Sequence, residues 1–483
     1  MERMLSELIP GITTPVDLSV KGITDDSRCV AAGDLFIAAP GIVNDGRQFI
    51  PEAVARSAAA IFCEPPAPET TLDIPIVEVP NLATRKGEIA SRFYGEPSRQ
   101  MLVVAVTGTN GKTSCSQFVA ITLNAVGRKC GVIGTLGSGV PGELKDTGLT
   151  TPGAIGLQSR LALLLSEGCS AVAIEASSHG LSQGRLNGTA IDIAVFTNIT
   201  RDHLDYHDTF GDYKRAKQSL FQWPGLKNAI INLDDDCAGD FIKALSSDVQ
   251  VITYGAQNRG ADVHCESLLF RSDGFDAQIV TPWGSGEVSA NLLGDFNVNN
   301  LLVVLAVLGL LEEDITAAML LAGQLPSVPG RMEPLKHTGF PLVVIDYAHT
   351  PDALEKALIA LRRHCIGELW CVVGCGGDRD RGKRPLMGQI VATFADKGVI
   401  TDDNPRGEPS RQIIEDILAE VSDLSNIHIE PDRARAIEYS LDKAGPNDVV
   451  LIAGKGHEEY QIVGGKRHAF SDHVEVRKHF GEG

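Results

Sequence analysis

Thr107-Gly-Thr-Asn-Gly-Lys-Thr113 stands directly after an apolar run, Leu102–Val106, and directly before an amphipathic one, Ser114–Val126, which Gly127 ends. Strand, glycine-rich turn and helix in that order bind phosphate. Backbone N–H groups from Gly108 through Thr109 and Asn110 to Gly111 can wrap the oxygens, and the helix N-terminus adds positive potential. Lys112 would neutralise charge on the β/γ phosphates, and the Thr113 hydroxyl can hold Mg²⁺. Only Thr109 and Asn110 separate Gly108 from Gly111-Lys112, whereas the standard loop has four intervening residues. The ordinary alternative, a tight glycine turn with an incidental lysine, loses ground because strand and helix flank the motif. A second run, Ala171–Ile174, ends in Glu175. Ligands of open α/β sheets sit beyond the carboxyl ends of the strands, so Glu175 would face the phosphates and coordinate Mg²⁺. A strand-terminal glutamate is more often solvated or capping, so this one counts only beside the phosphate loop.

His203 and His207 stand four apart in Thr197-Asn-Ile-Thr-Arg-Asp-His-Leu-Asp-Tyr-His207, just past another strand end. That spacing could place a zinc pair on one helical face. The lack of a third Cys or His nearby, and of the Glu in a His-Glu-x-x-His pattern, argues against zinc, and a structural role for either histidine is the competitor. Asp402-Asp-Asn-Pro-Arg406 and Ala453-Gly-Lys-Gly-His-Glu458 each follow a strand as well. A proline-stiffened loop presenting Asn404 and Arg406 suits a carboxylate, since Arg offers a planar two-pronged donor. Glu458 could match an ammonium. Taken singly, both stretches also read as capped, solvated turns. Gly374-Cys-Gly-Gly377 could open a dinucleotide fold, but no clear acidic partner follows the next strand in the expected way.

These residues need strands and helices to present them. From Met101 onward the pattern is apolar strand, polar loop, amphipathic helix, repeated, as in a parallel α/β sheet. Strands are expected at Leu102–Val106, Ala171–Ile174, Ile191–Phe196 and Ala229–Ile231, and helices at Ser114–Val126 and Asn297–Leu308. A β-rich excursion occupies Val251–Leu292, and Pro326-Ser-Val-Pro-Gly-Arg331 reads as a linker. A second doubly wound series follows: strands Leu342–Ile345, Leu369–Val373, Gly398–Thr401 and Val449–Ile452, with helices Asp352–Arg362, Arg384–Phe394, near Arg411–Val421, and Asp432–Lys443. Residues 1–98 alternate short apolar runs with Gly and Pro and form a small first unit. At about 150 residues per domain, 483 residues make roughly three.

Hydrophobic residues at 43% and charged residues at 22% mark a globular chain. With 62 Asp and Glu against 43 Lys and Arg, the net charge of -19 has the wrong sign for a nucleic-acid or anionic-lipid partner. Leu301–Leu311 is the longest apolar stretch, well short of the roughly 20 residues of a membrane span. The first ten residues do not resemble a secretory signal, so a cytoplasmic protein is expected. Ten cysteines, several inside apolar strands and none in a C-x-x-C pair, fit reduced buried thiols.

Taken together, the motifs closely resemble the ATP-dependent amino-acid ligases of peptidoglycan precursor synthesis, the Mur ligase family. The likeness runs through Thr24-Asp-Asp-Ser-Arg28, Asp45-Gly-Arg47, the shortened phosphate loop, Glu175-Ala-Ser-Ser-His-Gly-Leu181, Asp202–His207 and Gly294-Asp-Phe-Asn-Val298. It continues through Pro329-Gly-Arg331, Asp346-Tyr-Ala-His-Thr-Pro351, Gly377–Arg384 and Asp403-Asn-Pro-Arg406. In this family the short loop is normal.

The resemblance implies three α/β domains: a small N-terminal UDP-binding domain (1–98), a central P-loop ATPase-like domain (99–330) and a Rossmann-like C-terminal domain for the incoming amino acid (331–483). Motif by motif, it assigns Ser27 and the segment near Asn44 to uridine, and Thr150, Thr151, Ser177, Gln183 and Arg185 to the muramoyl-dipeptide. The loop from Gly108 through Ser114, with Asn297 and Arg331, would contact ATP, and Asp346 and His349 would line the nucleotide site at the domain junction. Lys217 matches a lysine that the family carbamylates with CO₂, and such a carbamate could hold a second Mg²⁺ together with His203. Without the resemblance Lys217 would be an ordinary surface lysine. Members that add meso-diaminopimelate share Asp403-Asn404-Pro405-Arg406, whereas lysine-adding members usually lack the arginine. The second carboxylate of diaminopimelate is what Arg406 would pair with. Arg379 would bind carboxylate too, and Gly454 and Glu458 would receive the distal amino group.

The implied activity is ADP-forming addition of diaminopimelate to UDP-N-acetylmuramoyl-L-Ala-D-Glu through an acyl phosphate. It would be carried out by a monomer with small-molecule substrates and neither nucleic-acid nor membrane partner. The rivals are a sister ligase adding lysine, a polyglutamate ligase, a nucleotide-switched binding protein and, lower still, a dinucleotide oxidoreductase.

Overall fold

Strands buried on both faces read as unbroken apolar runs, and the three that flank the phosphate motif do so. Leu102–Thr107 lies between Ala171–Glu175 and Ile193–Phe196, all parallel, in a computed structural model that describes residues 2–14, 16–41, 44–68, 74–202 and 206–482. Cys130–Gly134 extends the sheet on one side, and Asn228–Asn232 and Gln250–Gly255 extend it on the other. The β-rich excursion is a continuation of this sheet. Val263–Arg271, Gly274–Thr281 and Gly284–Ala290 add an antiparallel meander to its edge.

Helices cover both faces. On one, Lys112–Ala125 packs beside Phe296–Leu310, whose Leu301, Leu302, Val304 and Leu305 are buried against Val104, Val106 and Val195. A helix apolar all round belongs in a core, which accounts for the longest apolar stretch of the chain. On the other face, Ala154–Ser166, Phe210–Gln218 and Ala238–Lys243 bury Leu157, Leu161, Tyr213 and Phe241. The first of the three domains is a smaller parallel sheet of Gly22–Thr24, Asp34–Ala38, Ala60–Cys63 and Ile76–Glu78.

The third domain orders its strands as Glu333–Leu335, Leu342–Asp346, Val449–Ala453, Leu369–Val373, Lys397–Ile400 and Ile427–Ile429, with only the first antiparallel. Pro351–Arg362, Lys383–Phe394 and Ser410–Leu418 cover one face, and Arg433–Lys443 and Asp472–His479 the other. The expected elements therefore stand, with shifts of a few residues. The strand expected from Ile191 begins at Ile193, because the Asp192 carboxylate accepts Val103 N–H at 3.0 Å and Lys227 Nζ at 2.7 Å. Among the described residues no helix is long and apolar enough to cross a membrane, and all ten cysteines are free thiols.

One buried ion pair ties the back of the third domain together. Arg433 and Asp472, both with fully buried side chains, meet in a two-pronged contact at 2.7 and 2.8 Å. The same guanidinium donates to Ala453 O at 3.0 Å. Removing one member of such a pair strands the other charge out of water, at a cost of about 3–5 kcal/mol. Asp472→Ala should accordingly lower the unfolding free energy of the third domain, measured by urea titration, by an amount in that range, with a lower midpoint. Replacing both residues with apolar ones of similar size should recover most of it; an unchanged midpoint in the single variant would mean the pair contributes nothing.

Candidate active site

Gly108 begins the phosphate loop with φ +153°, and a Cβ there would lie 1.9 Å from Thr197 Oγ1. Only glycine permits that approach. The segment after Ile193–Phe196 thereby grips the loop: Thr109 N–H donates to Asn198 O at 2.8 Å, Asn110 N–H to Asn198 Oδ1 at 3.0 Å, and Thr197 Oγ1 to Asn110 O at 2.6 Å. Gly111, at φ +84°, precedes the helix that Lys112 opens. Lys112 Nζ folds back to Gly108 O and Thr109 O, both at 2.8 Å, and burial pulls its pKa down. Ser114 is buried in the first turn.

Thr113 Oγ1 donates to Glu175 Oε2 at 3.1 Å and accepts from Arg331 Nη2 at 3.3 Å. Glu175, only 1% exposed, is also held by Thr135, whose N–H reaches Oε1 at 2.8 Å and whose hydroxyl reaches Oε2 at 3.0 Å. A hydroxyl and a carboxylate are hard oxygen donors of the kind Mg²⁺ selects, so this pair fits that ion. Thr135 was not anticipated. It follows Cys130–Gly134, the strand next to Ala171–Glu175, and a polar residue at that strand end was the available signal.

Around Glu175 the chain gathers the five residues assigned to the dipeptide. Thr150 and Thr135 share a hydroxyl–hydroxyl bond at 3.1 Å, and Thr151 Oγ1 donates to Glu175 O at 2.7 Å and lies 2.9 Å from Ser177 Oγ. Arg185 donates to Thr151 O at 2.7 Å and grips Gln183 Oε1 with Nε and Nη2. Ser27 and Asn44 lie elsewhere, on loops after adjacent strands of the first domain. Ser27 donates to Glu52 Oε2 at 2.6 Å, and Asn44 is exposed with its carbonyl accepting Gly41 N–H.

Lys217 is not a surface residue. It is 1% exposed, its Nζ donates to Gly108 O at 2.5 Å, and it lies 4.6 Å from the Tyr213 ring centroid. Burial, followed by the neighbouring Lys112 charge, lowers its pKa well below the ordinary lysine value. His203 lies outside the described residues, and with it the first half of the His203–His207 spacing. His207 packs among rings, 5.7 Å from His179 and 5.3 Å from Tyr213.

At the junction with the third domain, Arg331 stacks over Tyr347 at 4.5 Å. The Asp346 carboxylate accepts Met332 N–H at 2.7 Å and Ala348 N–H at 2.8 Å, while burial raises its pKa. Burial lowers that of His349, which contacts Tyr347 O at 2.8 Å. Asn297 is buried on Phe296–Leu310 and spends its amide on Leu293 O and Asn300.

The loops expected to take the acceptor meet at the carboxyl edge of the third sheet. Gly377 earns its place by contact: a Cβ would sit 1.9 Å from Pro405 O. The Gly374–Gly377 run thus receives the Asn404-Pro405-Arg406 loop, and Asp402 is taken by Ser410 at 2.5 Å. Arg406 Nη1 donates to Gly377 O at 2.8 Å, and Asn404 Nδ2 to Glu458 Oε2 at 3.1 Å. Gly454, at φ +110°, begins the Glu458 loop; Arg379 is exposed beside the Gly376–Gly377 turn. Two residues went unpredicted here. Arg384, fully buried against Glu408 and Asp416, donates to Gly376 O at 3.1 Å, and Lys455 lies beneath Asp403 and Glu458.

Fold and site define a nucleotide-dependent ligase, and family comparison agrees. The Mur ligase family catalytic domain matches residues 19–94, the Mur ligase middle domain 106–308, and the Mur ligase glutamate ligase domain 330–456. The chain belongs to the Mur ligase family. It is 46% identical over 468 residues to the UDP-N-acetylmuramoyl-L-alanyl-D-glutamate–2,6-diaminopimelate ligase of Coxiella burnetii, covering 96% of both chains. The protein of that name from Pseudomonas aeruginosa is also 46% identical, over 98% of this chain and 97% of the other. A solved structure of a ligase with the same name superposes with a TM-score of 0.75 at 39% identity, covering 100% of this chain and 99% of that one.

Thr135 gives the site its first test. Thr135→Val removes one hydrogen bond to a charged group, so affinity for a non-hydrolysable ATP analogue with Mg²⁺ should fall about tenfold by titration calorimetry. Unaltered affinity would show that Glu175 is positioned without that hydroxyl.

Proposed function

We propose that this chain is an ATP-dependent, ADP-forming ligase that adds 2,6-diaminopimelate, in its meso form, to UDP-N-acetylmuramoyl-L-Ala-D-Glu in peptidoglycan synthesis. The observation that carries this reading is the pairing, in one Mur ligase chain, of a phosphate loop with an Arg406 loop. Relatives of nearly the same length, named for that reaction, support it.

The D-glutamyl γ-carboxylate attacks the ATP γ-phosphorus, the bond to the β-phosphate oxygen breaks, and ADP leaves. Lys112 turns from its own loop carbonyls to the phosphate oxygens, where fixed positive charge favours the transition state. Mg²⁺ held by Thr113 and Glu175 would supply further positive charge there. The neutral amine of the acceptor attacks the acyl phosphate carbonyl, and the tetrahedral intermediate expels phosphate to leave an amide. Thr150, Thr151, Ser177, Gln183 and Arg185 hold the dipeptide beside Glu175, while Ser27 and the Asn44 segment hold uridine. Asn297, Arg331, Asp346 and His349 line the nucleotide. Arg406 and Arg379 face the distal carboxylate of the acceptor, with Asp403, Gly454 and Glu458 toward its amine. Closure of the third domain on the second would bring amine and acyl phosphate together and exclude water.

Lys217 is carbamylated in this reading. Its neutral amine would add to CO₂ and lose a proton to give a carbamate, an anionic oxygen donor that would help to hold a second Mg²⁺, with His203 as the other expected ligand. Burial favours the neutral amine, which is the form that reacts. Lys217→Ala should abolish turnover while leaving the circular dichroism spectrum intact; an unaffected rate would remove the carbamate from the mechanism.

Phosphate release with ATP, Mg²⁺ and the UDP-dipeptide, compared across meso-diaminopimelate, L-lysine and no acceptor, tests the function. Release and product with diaminopimelate alone are expected, whereas release indifferent to acceptor would favour a nucleotide switch. Arg406→Ala should raise the KM for diaminopimelate by about tenfold or more, the worth of a charged hydrogen bond, and leave the KM for ATP nearly unchanged.

A further inference from the structure

Beneath the acceptor loops lies a lysine that the mechanism does not use. Lys455 has a fully buried side chain, and its Nζ donates to Asn404 Oδ1 at 3.1 Å and to Tyr460 O at 2.8 Å. It stands 3.3 Å from Asp403 Oδ1 and 3.6 Å from Glu458 Oε2. Asn404 Oδ1 also accepts Ile462 N–H at 2.9 Å, so its Nδ2 is turned to Glu458, which it reaches at 3.1 Å. One cation therefore fixes the amide and sits between the two carboxylates.

Charge accounting gives this arrangement a purpose. Two carboxylates sharing a partly buried pocket repel, and one of them takes a proton unless a cation intervenes. Burial first, and Asp403 next, already raise the pKa of Glu458, while Asn404 and Lys455 hold it down. The charged and titratable groups facing Glu458 are Asp403, Lys455, Arg433, Tyr347 and Tyr460. The two tyrosines stay neutral through the range of interest: Tyr347 is pushed up to about 12, and Tyr460 is raised too. Arg433 is already matched by Asp472.

We infer that Lys455 is a positioning residue for acceptor recognition: standing between the Asp403 and Glu458 carboxylates and anchoring Asn404, it offsets their mutual repulsion and holds them in place to meet a single ammonium. The inference deepens the proposed function and rests on it. Beside this pocket Arg406 supplies one positive charge for one carboxylate, so the two together read an amino-acid zwitterion at the far end of the acceptor. Without Lys455 one of the influences that hold the Glu458 pKa down is gone, Asn404 loses its anchor, and the ammonium meets a less negative site.

The test is Lys455→Met, assayed as acceptor-dependent phosphate release from pH 7 to 9.5. At pH 7 the KM for diaminopimelate should rise more than about tenfold, a charged hydrogen bond's worth, with the KM for ATP nearly unchanged. The defect should shrink as pH rises, because a carboxyl with a raised pKa recovers its charge on the alkaline side. Wild type should show no such recovery. A defect constant across the range, or one shared equally by ATP and acceptor, would reduce Lys455 to a structural role and overturn the inference. Should Lys455→Met fail to fold, Lys455→Met with Asp403→Asn removes one charge of each sign. That variant should fold and lose the pH-dependent recovery; retention of the recovery would overturn the inference. The wild-type control separates the two readings: without diaminopimelate-dependent release in wild type the proposed function falls, and this inference with it.

Discussion

Parallel strands present their carboxyl ends together, and the site depends on that constraint. Leu102–Thr107, Ala171–Glu175 and Ile193–Phe196 deliver the phosphate loop, Glu175 and the Thr197-Asn198 segment to one edge because they are neighbours in one sheet. Steric contact then sets the detail. Gly108 lets the segment after Phe196 approach closely enough to take the Thr109 and Asn110 amides, and the carbonyl of Gly108 becomes the point where Lys112 and Lys217 converge. A loop shortened by two residues is held here by a neighbouring strand end in place of its own length.

The two ends of the reaction are built with opposite electrostatics. At the phosphate end, Lys112 rests on the carbonyls of its own loop and Arg331 reaches Thr113, so two cationic side chains border the loop within a chain of net charge -19. At the end proposed for the acceptor, the Asp403 and Glu458 carboxylates stand against Lys455 beneath them, with Arg406 on the same loop as Asp403. Selection of a molecule carrying both signs requires both signs in fixed places.

The sheets and most helices were legible because apolar periodicity and capping are local. Asp432, for instance, accepts from Ala434 and Arg435 N–H at the start of its helix, as its place in the sequence suggests. The phosphate loop, Glu175 and the Arg406 loop were legible for the same reason: each is a short motif after a strand. Residues that act across the sheet were not. Thr135 acts through strand adjacency, Arg384 through a turn eight residues away, and Lys455 through a loop some fifty residues earlier. The burial of Lys217 was likewise invisible, since a helix of mean polar character gives no hint that one of its lysines faces inward. The meander after Gln250 was seen as β-rich but not as part of the central sheet, because pairing partners are not written in a strand's own sequence.

Asp352, near the start of the helix Pro351–Arg362, accepts Asn110 Nδ2 at 3.2 Å and Thr200 Oγ1 at 3.1 Å. A carboxylate of the third domain is thus bonded to the phosphate loop of the second. Binding free energies are reciprocal, so whatever a nucleotide does to the Asn110–Asp352 bond, the placement of the third domain does in equal measure to nucleotide affinity. The loop proposed to hold phosphate is in this way coupled to the position of the third domain. Nucleotide affinity and domain orientation are, through this one carboxylate, two readings of a single coupling.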